Sequence, residues 1–250
     1  MRKRKETILR GIEVFREEPT RFRRLLGKYF LPRRKEYRKL LKMRLDEWYL
    51  YHQETIVAKK CYWMGVRALK NPCDAWIYQE ILYEVKPDVV VELGSKEGGS
   101  TLYFAHLLDL MGKGTVISVD IDRSKYNITH DRIIEVTGDT AAPETVDEVY
   151  RLCRNKSVLV VHDADHRTAN VLKDMQLYSP LVSINSYLIV EDGMMDLFRP
   201  SILKGTGSFE YGPLFAIDAF LRDNPNFVVD AERERYIITY NPKGFLRRIR

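Results

Sequence analysis

The chain has 250 residues, 45% of them apolar and 30% charged, enough for one good-sized domain with a full core. No apolar run approaches the roughly 18 residues of a membrane span. The charged N-terminus, MRKRKETILRGIEVFREE, lacks the apolar stretch of a secretory signal. Three cysteines, Cys61, Cys73 and Cys153, are odd in number and form no CxxC pair. That excludes a disulfide scaffold and a cysteine zinc site, and it points to a reducing, cytoplasmic setting.

Charge is concentrated at the start. Residues 1–47 hold 17 Lys and Arg against 7 Asp and Glu, a net of +10. The whole chain has 41 basic and 35 acidic residues, so 24 and 28 remain for residues 48–250, a net of −4. Within residues 1–50 apolar residues recur at helical spacing: Ile8, Leu9, Ile12 and Phe15, then Phe22, Leu25, Leu26, Tyr29 and Phe30. Pro19 and Pro32 punctuate the pattern, and residues 33–50 form a third helical stretch with Leu40, Leu41, Met43, Leu45 and Trp48. This basic extension reads either as helices packed on their own domain or a sister subunit, or as a peripheral anchor at an anionic inner membrane face. Nucleic acid is not expected, because no zinc-finger, helix-turn-helix or RNP-like signature accompanies the charge. Residues 51–250 then form the main domain.

From Asn71 the pattern alternates strand and helix. A helix capped by Asp74 ends at Pro87. Strands follow at residues 88–93 (DVVVEL), 115–120 (TVISVD), 132–138 (RIIEVTG), 157–163 (SVLVVHD) and 186–192 (SYLIVED), with helices between them. Continuous Val, Ile and Leu runs are the mark of strands covered on both faces, so the sheet is parallel and doubly wound. After a helix over 212–222, residues 227–230 (FVVD) and 235–240 (RYIITY) are strands four residues apart. That gap is too short for a crossover, so they pair as an antiparallel hairpin. Five parallel strands, a helix and a terminal hairpin form the layout of class I S-adenosylmethionine-dependent methyltransferases.

Candidate chemistry lies at the carboxyl ends of these strands. The first strand runs into Glu92, Gly94, Ser95, Gly98, Gly99 and Ser100. Glycine there lets the backbone approach a ligand. The spacing E-x-G-x-x-x-G-G differs from the pyrophosphate fingerprint, and the carboxylate favours a cationic ligand such as S-adenosylmethionine. The second strand ends in Asp120 and Asp122, placed to accept ribose hydroxyls. The third ends in Asp139, where methyltransferases bind the adenine amino group. The densest cluster is His162-Asp163-Ala164-Asp165-His166 at the fourth strand end, with Glu191-Asp192 at the fifth. Converging carboxylates without compensating arginine call for a hard divalent cation, Mg²⁺ before Mn²⁺ or Ca²⁺. Adjacent residues on a strand point opposite ways, so Glu191 and Asp192 share a metal only where the strand gives way, which Gly193 permits. His166, three residues after Asp163, reads as a general base or as a structural histidine orienting a carboxylate. Two histidines in one pentapeptide also raise a non-haem iron site, but the usual H-x-D spacing is absent.

Three stretches carry a resemblance: residues 63–112 (beginning WMGVRALKNPCDAW), 162–193 (HDADHRTANVLKDMQLYSPLVSINSYLIVEDG) and 211–249 (beginning YGPLFAIDAFLRD). Over about residues 60–250 the chain resembles the cephalosporin hydroxylase / rhamnosyl O-methyltransferase family. The resemblance implies the methyltransferase fold, S-adenosylmethionine and a divalent cation. Asp163, Glu191 and Asp192 would be metal ligands, and His166 would stand where related catechol O-methyltransferases carry a catalytic lysine. The implied activity is metal-dependent O-methylation of a sugar, glycan or other small molecule, in a homo-oligomer. A hydroxylase or other oxidoreductase is one alternative, and a non-catalytic binding protein on the same fold is another. Acceptor contacts are expected from the extension and from residues 194–211, read as a mobile lid or as a loop packed on a neighbouring subunit.

Overall fold

The computed structural model describes residues 34–198 and 212–250. The expected helices within residues 1–33 and most of the expected lid lie outside the described residues. The chain divides between Leu50 and Tyr51 into two compact units.

In the first unit the single helix expected over 33–50 is two helices, α1 (Arg34–Leu40) and α2 (Leu45–Tyr51). The break follows from local capping. The amides of Lys42 and Met43 bond back only three residues, and the Glu47 carboxylate accepts from the Arg44 amide at 3.0 Å to start α2. Among the described residues no helix is long and apolar enough to cross a membrane.

The second unit opens with a π-helical turn (His52–Val57), one turn of α-helix (Ala58–Lys60) and a small hairpin, β1 (Tyr62–Trp63) and β2 (Val66–Arg67). The main sheet follows: β3 (Val89–Leu93), β4 (Thr115–Asp120), β5 (Ile133–Thr137), β6 (Val158–His162), β7 (Tyr187–Val190), β8 (Phe227–Val229) and β9 (Phe245–Arg248). Their order is β5-β4-β3-β6-β7-β9-β8, the first five parallel and the last two antiparallel. Helices α3 (Pro72–Val85), α4 (Gly99–Met111), α5 (Pro143–Cys153), α6 (Thr168–Tyr178) and α7 (Pro213–Asp223) cover it.

Strand alternation sorts the core into two layers. Val90, Val116, Leu159, Val161 and Phe245 pack against Ile77, Tyr78 and Ile81 of α3 and Phe104 and Leu108 of α4. Val89, Val91, Ile117, Val160 and Leu246 pack against α5, α6 and α7 through Val149, Met175 and Phe220. Each buried Val or Leu contributes about 1.5–3 kcal/mol, and both faces of β3 use it. Register then sets the site. Leu93 pairs with Val119 and with His162, and His162 pairs with Val190, so the residues that follow emerge along one edge.

Two expectations need correction. The α3 helix is capped by Asn71, whose side chain accepts from the Cys73 amide at 3.1 Å, not by Asp74. Asp74 is buried inside the helix, and its carboxylate accepts from the Thr239 hydroxyl at 2.5 Å and the Tyr240 amide at 2.8 Å. That contact also explains the second correction: residues 235–240 are not a strand. Their polar groups go to α3, with the Ile238 carbonyl taking the Asn71 side-chain amide at 2.9 Å, and Ile237 adopts φ 64°. The partner of β8 is instead β9, whose Phe245 and Leu246 are fully buried.

Burial pushes the Asp74 carboxyl up to about 6, against hydrogen bonds from Thr239, the Tyr240 amide and Asn71 that favour its ionised form. A carboxyl raised on folding contributes stability below its unfolded value, near 3.9, and loses it as pH climbs through 6. Asp74→Asn should remove that slope between about pH 4 and 6. Asp74→Ala, which removes the acceptor of three hydrogen bonds, should cost about 3 kcal/mol in urea unfolding at neutral pH.

Candidate active site

Along the sheet edge lies a cavity of about 810 Å³, within the usual size range of small-molecule sites. Of the residues expected to bind a cofactor, Gly94, Ser95, Ser100, Asp120 and Asp139 line it. Asp120 shapes the glycine loop: its Oδ2 accepts from the amides of Ser95 and Lys96 at 2.8 and 2.7 Å, and its Oδ1 from that of Asp122 at 2.9 Å. Gly94 has φ 86°, and a Cβ there would stand 2.1 Å from the Asp163 carbonyl oxygen. No side chain fits, so the loop after β3 packs directly on the chain after β6.

Other expected cofactor residues stand behind this surface. Glu92 is fully buried, accepts from Thr101 through Oε2, and leaves Oε1 without a partner among the described residues. Gly98 is the left-handed residue before α4, and a Cβ there would meet Tyr126 and Ile128. A Cβ on Gly99 would strike the Arg67 carbonyl of β2. Asp122 is exposed, holds the Ser124 amide at 2.8 Å, and lies outside the cavity wall.

At the other end of the edge, ligand atoms of Asp163, His166 and Asp192 lie within 4.8 Å of one another. His166 turns Nε2 to Asp192 Oδ2 at 3.5 Å, longer than a normal hydrogen bond, and its buried Nδ1 has no partner among the described residues. The turn that separates Asp192 from Glu191 is made by Asp192 itself, at φ 60°, one residue before the glycine expected to make it. Asp192 therefore faces His166, and Glu191 faces inward. Burial, first, and then Asp163 push the Asp192 carboxyl up against the pull of His166. Asp165 sits apart, engaged by Arg167 and by Asn170 at 2.9 Å.

Three residues not anticipated from the sequence support this cluster. Lys70, 4% exposed, donates to Asp163 Oδ2 at 2.5 Å and to Glu191 Oε1 at 2.6 Å. Tyr78 donates to the same Glu191 oxygen at 2.7 Å, and the Asn241 amide donates to Tyr78 Oη at 3.0 Å. Burial alone would lower the Lys70 ammonium, but Asp163, Glu191 and Glu92 hold it above its ordinary value. Nothing in RALKNP distinguishes Lys70 from a solvated loop lysine. His162 does not join the cluster. It is 1% exposed, and its Nε2 lies 3.0 Å from Asp174, which also accepts from Thr140.

The donor set fits a divalent cation. Asp163, Asp192, Glu191 and Glu92 bring four carboxylates against one buried ammonium, and Mg²⁺ commonly binds through one or two carboxylates while keeping waters. Only one imidazole enters, so the two-histidine, one-carboxylate set of non-haem iron is not assembled among the described residues. The acids at the ends of β4 and β5, with the glycine turn between them and the metal cluster, fit a nucleoside-bearing cation.

Residues 55–249 match the family model described as Rhamnosyl O-methyltransferase/CmcI. The rhamnosyl O-methyltransferase of Mycobacterium leprae is 33% identical over 209 residues, 80% of this chain and 89% of that protein. That of Mycobacterium tuberculosis (strain ATCC 25618 / H37Rv) is 33% identical over 210 residues, 80% and 83%. A solved structure of CmcI with Mg and SAM superposes with TM-score 0.62 and 25% identity, covering 84% of this chain and 86% of that one.

Lys70→Met should destabilise the protein by about 3 kcal/mol at neutral pH, since it leaves the buried Glu191 carboxylate facing Asp163 without its counter-charge. Burial and Asp163 already raise Glu191, and Lys70 is the counterweight. Protonation relieves the repulsion, so the loss measured by denaturant unfolding should shrink as pH falls.

Proposed function

The chain belongs to the rhamnosyl O-methyltransferase/CmcI family, and we propose that it moves a methyl group from S-adenosylmethionine to a hydroxyl of a sugar or related polyol, with a divalent cation. The observation that carries this reading is the meeting of Asp163, His166 and Asp192 at one end of the cavity whose other end holds Asp120 and Asp139. S-adenosylmethionine supplies an electrophilic methyl on sulfur, and a bound Mg²⁺ supplies Lewis acidity toward an acceptor hydroxyl.

The residues divide the remaining work. Asp120 and Asp139 present oxygens to the nucleoside, and Asp120 also fixes the glycine loop beneath it. Asp163 and Asp192 would hold the cation; Glu191, the third ligand implied by the resemblance, faces inward onto Lys70 and Tyr78 and would contribute its charge from behind. His166 receives the hydroxyl proton. Its Nε2 is within reach of Asp192 without a tight bond to it, so the ring is steered but stays available. Fixing both reactants in one cavity removes much of the entropic barrier. Residues 1–50 are an appendage to this domain, which the charge division and the start of the family match at residue 55 both support.

Asp163→Asn and Asp192→Asn should each weaken Mg²⁺ binding at least tenfold in calorimetry and reduce methyl transfer to a rhamnoside by a hundredfold or more. S-adenosylhomocysteine affinity should stay within about threefold. Full methyl transfer in excess EDTA would overturn the metal-dependent reading.

A further inference from the structure

The π-helical turn, residues 52–57, forms part of the cavity wall through Gln53, and no sequence motif marks it. Single π turns insert one residue into a helix, and they are frequent at functional sites. The Gln53 Oε1 is buried and has no hydrogen-bond partner among the described residues, while its Nε2 is not among the buried, unpaired atoms. Buried polar atoms are almost always satisfied, and a turn of the amide about its last bond would bring that oxygen to a partner in the cavity that Gln53 lines.

The anchoring of the turn says which end of the cavity Gln53 serves. His52 Nδ1 lies 2.6 Å from Tyr240 Oη. The Tyr240 carbonyl accepts from the Met194 amide at 3.0 Å, and the Asp192 carbonyl accepts from the Met195 amide at 3.1 Å. The turn is therefore tied to the segment that begins at Asp192, beyond β7. The nucleoside end, Asp120 and Asp139, belongs to β4 and β5 on the opposite side of the sheet. At the other end of the turn, the Ala58 carbonyl accepts from Arg67, which is ion-paired with Glu97 of the glycine loop at 2.9 Å. Both ends are held, so the position of Gln53 is fixed.

We infer that Gln53 is a specificity-determining residue that hydrogen-bonds a hydroxyl of the acceptor, an assignment that rests on the methyl-transfer reading above. A neutral amide suits the task. A hydroxyl both donates and accepts, so it satisfies either face of the amide. The amide also adds no charge beside four carboxylates and does not compete for the cation. A site built to bond one hydroxyl discriminates against an analogue without it, because the protein group is then left buried and unpaired.

The test uses the full chain with Mg²⁺, S-adenosylmethionine, methyl α-L-rhamnopyranoside and its monodeoxy analogues. Gln53→Leu should raise the acceptor KM tenfold or more, with kcat within threefold and S-adenosylhomocysteine affinity unchanged by calorimetry. The wild type should reject one deoxy analogue tenfold or more, and Gln53→Leu should treat that analogue and the parent alike. Gln53→Glu, which keeps an accepting oxygen, should recover part of the discrimination, and it serves in place of the leucine variant if that one fails to fold. A weakened S-adenosylhomocysteine affinity would assign Gln53 to the cofactor and overturn the proposal, as would an unchanged deoxy-analogue profile. A wild type that methylates no rhamnoside overturns the acceptor reading itself, and the Gln53 assignment falls with it.

Discussion

A single buried ammonium holds the acidic end of this protein together. Lys70 bridges Asp163, which follows β6, and Glu191, which follows β7, and it does so with almost no solvent contact. Without it those two carboxylates would repel across a poorly hydrated gap, and burial has already raised Glu191. The pair of strand ends could then be close or charged, but not both. Tyr78 and Asn241 extend the bridge into α3 and the loop before β9, so the charge balance also ties a helix and the antiparallel edge to the parallel sheet.

The bridge satisfies only part of the charge. Four carboxylates share one lysine, and the deficit falls where Asp163 and Asp192 face the cavity with His166. That asymmetry is what makes the cluster a cation site instead of a structural salt bridge. A fully neutralised cluster would rigidify the edge and bind nothing. The same residues thus set both the stability of the sheet edge and the chemistry it offers, through the difference between what Lys70 covers and what it leaves.

Much of this was legible in the sequence because it depends on period and order. Five apolar runs predicted five parallel strands, and acids following each run predicted a common edge; register made both statements true at once. Contacts that join distant segments through side chains were not legible. Asp74 looked like a helix cap, because an acid near a helix start usually is one, yet Asn71 takes that role and Asp74 reaches across to Thr239 and Tyr240. That reach in turn removed residues 235–240 from the sheet, and no local pattern in RYIITY announces it. Lys70 fails for the same reason: its partners lie 93 and 121 residues away. The two histidines of HDADH also look alike in sequence. Strand alternation separates them, sending His162 into the core toward Asp174 and leaving His166 in the loop beyond.

The division between legible and hidden follows the division of chemistry. Groups for the methyl donor and the cation sit at strand ends, whose positions along one edge the strand order fixes. Recognition of the acceptor needs groups on the far wall of the cavity, and those come from segments that reach it by tertiary contact. The π turn at His52–Val57 reaches it through Tyr240, whose own position depends on Asp74, so acceptor recognition rests on a contact between α3 and the loop before β9. The same loop also meets the cation end, because Asn241 Oδ1 accepts from the Asp192 amide at 3.2 Å and the Asn241 side-chain amide donates to Tyr78. Acceptor recognition and the cation cluster are thereby coupled through one loop, while the groups for the methyl donor, on β4 and β5, stand apart from it.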